Sequence, residues 1–466
     1  MKRPWLAAAG TAALTSLLFV VLYNLCNYFT ALRPDVGVWV FGWEKHWPLV
    51  PAMIVPYWSI DALFVVAPFL CTSRKELRVY QQRMIFAIAA AALCYFAIPL
   101  QFAFARPQAE GAFGPWFTVL HGVDLPHNLF PSLHITLRTL LAAVFLRKTH
   151  GVLNWAAQGW FSLVGISTLL TWQHHLVDVL GGFWLAAIAM HLYRFDDRAE
   201  PHLPNRRVAT YYAGAALVCS QLARLSWPWT FPLVWPAFAC GVAAFAYSGW
   251  GPVMYRKHAG QLTRMTKLLF APLLVGQWLS WRYYRGKTPG VSRITPQVWV
   301  SALPTSDDAR KLIDAGVTSV LDLTAEFSAP LEYRALRYHS LPVLDLTSPT
   351  PEQLTRGAEL IDQESARGTI LVHCKAGYSR SGAMVGAWLL ETGRCESVAE
   401  VVTLLKAARS GVVIREEIRR GLLEFSLQAV PSAPDPEDTL KRGLQPVLLA
   451  TVEPKSQTCS GIATTR

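Results

Sequence analysis

Long stretches in the first half of this chain carry no charge, and that limits its fold more than anything else in the sequence. Residues 4–32, 84–105, 151–177 and 225–255 contain no Asp, Glu, Lys or Arg. A run of about 20 such residues can cross a bilayer as a helix, which satisfies its own backbone N–H and C=O groups where no water is present. At 52% hydrophobic and 16% charged, with 18 Trp and a mean hydropathy of +0.27, the chain is too apolar for a soluble enzyme of 466 residues. The pattern predicts an all-α helical bundle of about eight spans, at roughly 5–30, 49–71, 84–105, 131–147, 152–172, 176–194, 208–223 and 231–250.

Basic residues orient the bundle. Lys2 and Arg3 precede the first span, and Arg74, Lys75, Arg78 and Arg83 follow the second. Arg147 and Lys148 follow the fourth, Arg194, Arg198, Arg206 and Arg207 the sixth, and Arg256, Lys257, Arg264 and Lys267 the eighth. The alternate loops hold only Arg33, Lys45, Arg106 and Arg224. This asymmetry places the N-terminus, and everything after the eighth span, on the cytoplasmic side of a bacterial-type inner membrane. The net charge of +12 is then chiefly an orientation signal. No basic groove interleaved with aromatics points to nucleic acid. The first apolar run is too long for a cleaved signal peptide. The eight cysteines, Cys459 among them, form no C-x-x-C pair, so neither a zinc site nor a disulfide framework is expected.

The solvent changes along the chain. Residues 1–250 form the membrane domain and 251–289 a linker, within which 268–281 is apolar but too short to cross and suits an interfacial helix. From 290 to 428 the pattern alternates: a strand at 298–300, a helix at 307–315, a strand at 318–323, a helix at 351–367 with Thr350 as N-cap, and helices at 397–408 and 415–427. That order implies an α/β domain built around a sheet. Residues 429–466 read as a disordered tail, rich in Pro, Ser and Thr from Pro431 onward.

The chemistry concentrates in His373-Cys374-Lys375-Ala376-Gly377-Tyr378-Ser379-Arg380-Ser381-Gly382, between the apolar run 369–372 and a helix-like run from 383. In a strand–loop–helix turn the loop N–H groups, Gly377 and Ser379 included, converge on an oxyanion, and the helix N-terminus adds positive potential. Arg380 can return across a phosphate and bind two of its oxygens as a fork, and Lys375 adds charge at the mouth. Such a field favours a thiolate and makes Cys374 a nucleophile. This stretch resembles the signature of cysteine-dependent protein and lipid phosphatases, the dual-specificity branch in particular, over about 290–428. The resemblance implies that Asp345, in a turn-rich loop about 30 residues ahead of the cysteine, is the general acid, with Asp322 its rival inside an apparent strand. It implies that Ser381 helps expel the thiolate and that His373 orients the loop by hydrogen bonding. Cys-Lys-Ala-Gly is similar to the loop of phosphatases acting on phosphatidylglycerol phosphate.

Two motifs lie at the outer face of the bundle. Phe130-Pro131-Ser132-Leu133-His134 precedes the fourth span, and His174-His175-Leu176-Val177-Asp178 opens the sixth. Their pairing resembles the type 2 phosphatidic acid phosphatase superfamily and the related sphingolipid and inositol-phosphoryl transferases. The resemblance implies attack on phosphorus by His174, a ring held by Asp178 on the same helical face, and His134 as acid. Arg106 would bind phosphate, and Arg138, one turn beyond His134, either joins it or pairs with Asp61. The chain departs from that family at Pro99, Leu133 and Thr168, where lysine, glycine and arginine are usual. His121, His127 and His175 are expected to be structural or interfacial.

The whole resembles bacterial fusions of these two modules. It implies a bifunctional phosphatase, its cytoplasmic cysteine site hydrolysing phosphomonoesters of phosphoproteins or phospholipid headgroups and its outward-facing histidine site acting on membrane lipid phosphates, with no metal or cofactor at either site. The alternatives are a cysteine phosphatase on a lipid-binding anchor, a bundle that transfers headgroups, or a protein that binds phosphate without turnover.

Overall fold

The computed structural model describes residues 4–106, 109–194, 202–225, 230–287 and 290–429. Lys2, Arg3, Arg198, Cys459 and the tail from 430 lie outside the described residues. The first half is helical, in the order α1 (Trp5–Ala31), α2 (Ile54–Leu70), α3 (Arg74–Ala97), α4 (Gly114–Val123), α5 (Leu133–Phe145), α6 (Gly151–Leu170), α7 (Leu176–Leu192), α8 (Arg206–Leu225) and α9 (Val234–Phe245). Among the described residues, four segments are long and apolar enough to cross a membrane: Trp5–Ala31, Pro51–Leu70, Arg74–Ala97 and Phe231–Trp250. Helices α5 and α7 are apolar but shorter. At about 1.5 Å per residue, the 13 residues of α5 reach only about 20 Å. Large apolar side chains on the outer surface, such as Leu6, Leu17, Val152 and Leu217, are exposed, as lipid-facing residues would be.

The third predicted span is displaced. Helix α3 begins at Arg74, ten residues before the charge-free window, and stops at Ala97. Its first turn is fixed by charge and capping, which an apolar window cannot register. The Ser73 hydroxyl accepts from the Glu76 N–H at 3.1 Å, and the Glu76 carboxylate takes Lys148 at 3.0 Å. The basic loops after α2 and α5 therefore meet at one end of the bundle. At the same end, Arg256 donates to the Leu192 carbonyl, close to the C-terminus of α7.

Beyond α9 the chain makes a short hairpin, β1 (Lys257–His258) with β2 (Gln261–Leu262), then α10 (Arg264–Leu269) and α11 (Ala271–Arg285). The α/β region follows: β3 (Val291–Arg293), β4 (Val298–Ala302), α12 (Ser306–Asp314), β5 (Val317–Thr324), β6 (Arg337–Val343), α13 (Pro351–Ser365), β7 (Thr369–Cys374), α14 (Ser379–Glu391), α15 (Val398–Ala408) and α16 (Glu416–Ala429). Its five strands run in the order β3-β4-β7-β5-β6, parallel except for β3. Thr350 caps α13 as expected, in a reciprocal pair with Gln353.

The central strand β7 sorts its side chains by parity. Ile370, Val372 and Cys374 face the core formed with α13 to α16, while Leu371 packs on the opposite face with Trp299, Leu312 and Tyr333. The α/β region is not a free appendage. Ala325 and Leu344 share a buried cluster with Ala239 and Ala243 of α9, Tyr247, Tyr255 and Phe270. Lys257 Nζ reaches the buried Asp322 carboxylate at 2.6 Å.

Candidate active site

Strand β7 ends at Cys374 and α14 begins at Ser379, so residues 375–378 turn the chain through a tight loop. Gly377 makes the turn fit. Its φ is +69°, and a Cβ there would lie 2.5 Å from the Ser301 carbonyl oxygen of the neighbouring strand. The buried Arg409 guanidinium braces the loop from outside, donating to the Gly377 carbonyl at 2.9 Å and to the Ala376 carbonyl at 3.3 Å. The Cys374 sulfur is buried and lies 3.5 Å from the Ser381 hydroxyl. The Ser379 hydroxyl donates instead to the Val413 carbonyl, so only the backbone of Ser379 is available to an anion.

The Arg380 guanidinium is held by acceptors on both terminal nitrogens. Its two terminal nitrogens donate to the Glu326 carboxylate at 3.1 and 2.7 Å. Nη1 also donates to the Val343 carbonyl at 2.8 Å, and Nη2 to Asp345 Oδ1 at 3.1 Å. Arg380 and Glu326 are both almost fully buried. Lys375 Nζ binds the other Asp345 oxygen and also donates to Gln277 and Ser280 of α11, each at 3.2 Å. Burial alone would push the Asp345 carboxyl upward, but the Arg380 and Lys375 charges outweigh it and hold it below the usual carboxylate range. Each Asp345 oxygen thus takes one cation, Lys375 on one and Arg380 on the other.

Cys374, Arg380, Asp345, Ser381, Lys375 and Gly377 thus come together, whereas Asp322 does not join them. Asp322 lies on β5 with its oxygens taken by Lys257, Tyr338 and Thr324. The expectation for His373 needs correction. Next to Cys374 on a strand, it points to the opposite face, 6.0 Å from the Tyr333 ring, and neither ring nitrogen has a hydrogen-bond partner. Burial lowers its pKa to about 4, so it is neutral. Glu326, Arg409, Gln277 and Ser280 were missed from sequence. Glu326 had one signal, a carboxylate two residues past the end of a strand in a parallel sheet, where such folds place their sites.

Residues 298–428 match the family described as dual specificity phosphatase, catalytic domain. The chain is 31% identical over 186 residues to phosphatidylglycerophosphatase and protein-tyrosine phosphatase 1 of Homo sapiens, an alignment covering 36% of this chain and 90% of that protein. This chain belongs to the dual-specificity phosphatase family. It is an enzyme, a phosphatase of the cysteine-dependent kind. Dual specificity protein phosphatase 2 of Homo sapiens is 30% identical over 144 residues, covering 30% of this phosphatase and 45% of that one. Among solved structures, PTPMT1 in complex with PI(5)P is 26% identical, covers 30% of this chain and 97% of its own, and has a TM-score of 0.28.

The second predicted site lies at the other end of the bundle, where α5 and α7 begin. His134 and His174 line one cavity of about 440 Å³ together with Tyr23, Tyr57, Asp61 and Asp124. The His134 ring stacks on Tyr57, centroids 4.2 Å apart. His174 is not on a helix, as the i, i+4 spacing implied, because α7 starts at Leu176 with His175 as its N-cap. Its Nδ1 is still 3.7 Å from Asp178 Oδ2, beyond hydrogen-bonding distance. The same oxygen accepts the His175 N–H at 2.8 Å, so Asp178 also caps the helix. His175 itself is structural, between Glu44 and the Ala103 N–H.

Neither candidate arginine reaches this cavity. Arg106 donates to the Asp124 and Leu125 carbonyls. Arg138 donates to the Phe161 carbonyl and lies over the Phe183 ring, so it neither binds at the cavity nor pairs with Asp61. A guanidinium inside a helical bundle takes the nearest backbone carbonyl because no water is there to solvate it.

Proposed function

We propose that this phosphatase removes phosphate from the phosphomonoester headgroup of a membrane lipid, with Cys374 as nucleophile. The supporting observation is the convergence of Cys374, Arg380 and Asp345 directly against helices of the membrane-type bundle. The Cys374 thiolate attacks phosphorus and forms an S–P bond while the bond to the leaving oxygen breaks. Asp345 gives its proton to that oxygen. The phosphate dianion prepares this step: it takes over Arg380 and Lys375, the charges that keep Asp345 ionised, and Asp345 takes up a proton from solvent as the dianion binds. A water then attacks the phosphocysteine, its proton passes to the Asp345 carboxylate, and the thiolate leaves beside the Ser381 hydroxyl. Glu326 holds the guanidinium in the plane that a phosphate requires, with its Nε–H outside all the bonds described above.

We place 1–250 in the membrane as eight spans, with the shorter α5 and α7 and the 20-residue α6 and α8 completing the four apolar ones, and the phosphatase region on the cytoplasmic side. The basic loops gather at the end of the bundle where that region docks, which agrees with the charge asymmetry. The human relative is named as a phosphatidylglycerophosphatase, and the phosphomonoester of that lipid is the class of substrate we assign. Phosphate release by the full chain from a panel of lipid phosphates and phosphopeptides tests this. Preference for phosphopeptides would overturn it.

A second reading concerns the bundle. His134 and His174 share one cavity, and the buried Asp178 carboxylate lies 3.7 Å behind the His174 ring, which supports a histidine-centred site. The lining holds Asp61 and Asp124 but neither Lys nor Arg, an arrangement better suited to a phosphodiester than to a phosphomonoester dianion. We therefore favour headgroup transfer over phosphomonoester hydrolysis there.

A further inference from the structure

Asp345 lines cavities on two sides. One, of about 400 Å³, is mixed in character, between Asn205, Arg206, Ser348, Arg415, Leu203 and Ile418. The other, about 420 Å³, runs from Asp345 and Lys375 into the bundle. Its walls are Leu273 and Gly276 of α11, Pro236 and Cys240 of α9, and the Tyr212 and Tyr247 rings, stacked 5.5 Å apart. Gln277 joins the two ends, accepting from Lys375 and donating to the Tyr212 hydroxyl at 3.4 Å. One end of this cavity is therefore ionic and catalytic, and the other is apolar. The apolar end lies on α9, within the Phe231–Trp250 segment that is long enough to cross a membrane.

From this we infer that the cavity between α8, α9 and α11 holds the acyl chain of the lipid while its phosphate lies at Cys374. The inference rests on the lipid-headgroup reading above and adds where the chain goes. The occupant follows from the shape of the chemistry. A phosphopeptide would bring polar backbone against Pro236, Cys240 and Leu273, whereas an acyl chain leaves nothing unsatisfied there. Docking of the α/β region on the bundle supplies both halves of the site at once. The Asn205 side chain donates to the Leu346 carbonyl at 2.7 Å, beside Asp345, and Trp281 of α11 donates to the Leu303 carbonyl. The lipid thus needs to move only laterally to present its phosphate.

Gly276 offers the test, since a Cβ there meets nothing within 4 Å and a longer side chain projects into free space. Full-length protein in mixed micelles is assayed on dioleoyl phosphatidylglycerol phosphate, dihexanoyl phosphatidylglycerol phosphate and p-nitrophenyl phosphate. Gly276→Leu, and Cys240→Phe from the opposite wall, should each lower kcat/KM for the dioleoyl lipid by tenfold or more. The dihexanoyl lipid should lose less, and p-nitrophenyl phosphate turnover should stay within twofold, which also shows that the variants fold. Equal losses on all three substrates, or no loss on the dioleoyl lipid in either variant, would overturn the acyl-chain site. Wild-type protein that turns over p-nitrophenyl phosphate but neither lipid would overturn the lipid reading itself, and the site with it.

Discussion

The two ends of this molecule hold charged groups under opposite terms. At Cys374 every charge has a partner: Arg380 with Glu326 and Asp345, Lys375 with Asp345, Gln277 and Ser280. At the far end of the bundle the histidine-lined cavity has carboxylates in its wall and no arginine or lysine, and the nearby arginines have turned to backbone carbonyls. A site built to receive a dianion keeps its cations in place with counter-charges that the substrate displaces. A cavity without such cations has to take a ligand that carries less negative charge.

The sharpest way to break this contrast is to remove the nucleophile. Cys374→Ser should reduce phosphomonoester turnover to background while thermal unfolding stays near wild type, because the change is nearly isosteric. A purified mutant with normal turnover would remove the loop from the chemistry. Asp345→Asn keeps the shape but not the proton and should cost roughly 10²- to 10⁴-fold in kcat. The loss should shrink for substrates with an acidic leaving group, such as p-nitrophenyl phosphate. Arg380→Lys cannot reproduce the fork and should cost roughly 10²- to 10³-fold.

Glu326→Gln tests whether pre-positioning the guanidinium matters. Losing one charged hydrogen-bond partner, worth about 1.5–3 kcal/mol, predicts a loss of about 10- to 100-fold in kcat/KM. A change in stability alone, with kinetics intact, would show that the pair is only structural.

Two smaller effects bear on the remaining differences. In the Cys374→Ser background, His174→Ala should abolish residual turnover of phosphodiester lipids, and equal turnover in the two proteins would make the bundle an anchor. His373 concerns stability. Its pKa in the folded protein is about 4, below the ordinary 6.5, so the unfolded chain binds a proton between those values that the folded chain does not. Stability should therefore fall as pH drops through that window, and His373→Phe should flatten the fall in Tm.

The candidate phosphate loop was legible in the sequence alone, because the whole device is local. Strand, glycine turn, helix start, thiol and guanidinium occupy residues 369–391 and need no distant partner to be recognised. The apolar character of the first half was equally legible, as was the capping of α13. Even the outward turn of His373 was available, since neighbours on a strand must face opposite ways. The tertiary structure decided where the cations go. Glu326 lies 54 residues from Arg380, and Gln277 lies 98 from Lys375, so only packing could pair them. In the bundle, Arg138 stands one turn from His134 but takes the Phe161 carbonyl, 23 residues away, because a half-buried guanidinium goes to whatever acceptor the neighbouring helix presents. Spacing along a chain fixes which side chains share a face, whereas the partner of a buried charge is set by the element that packs against that face.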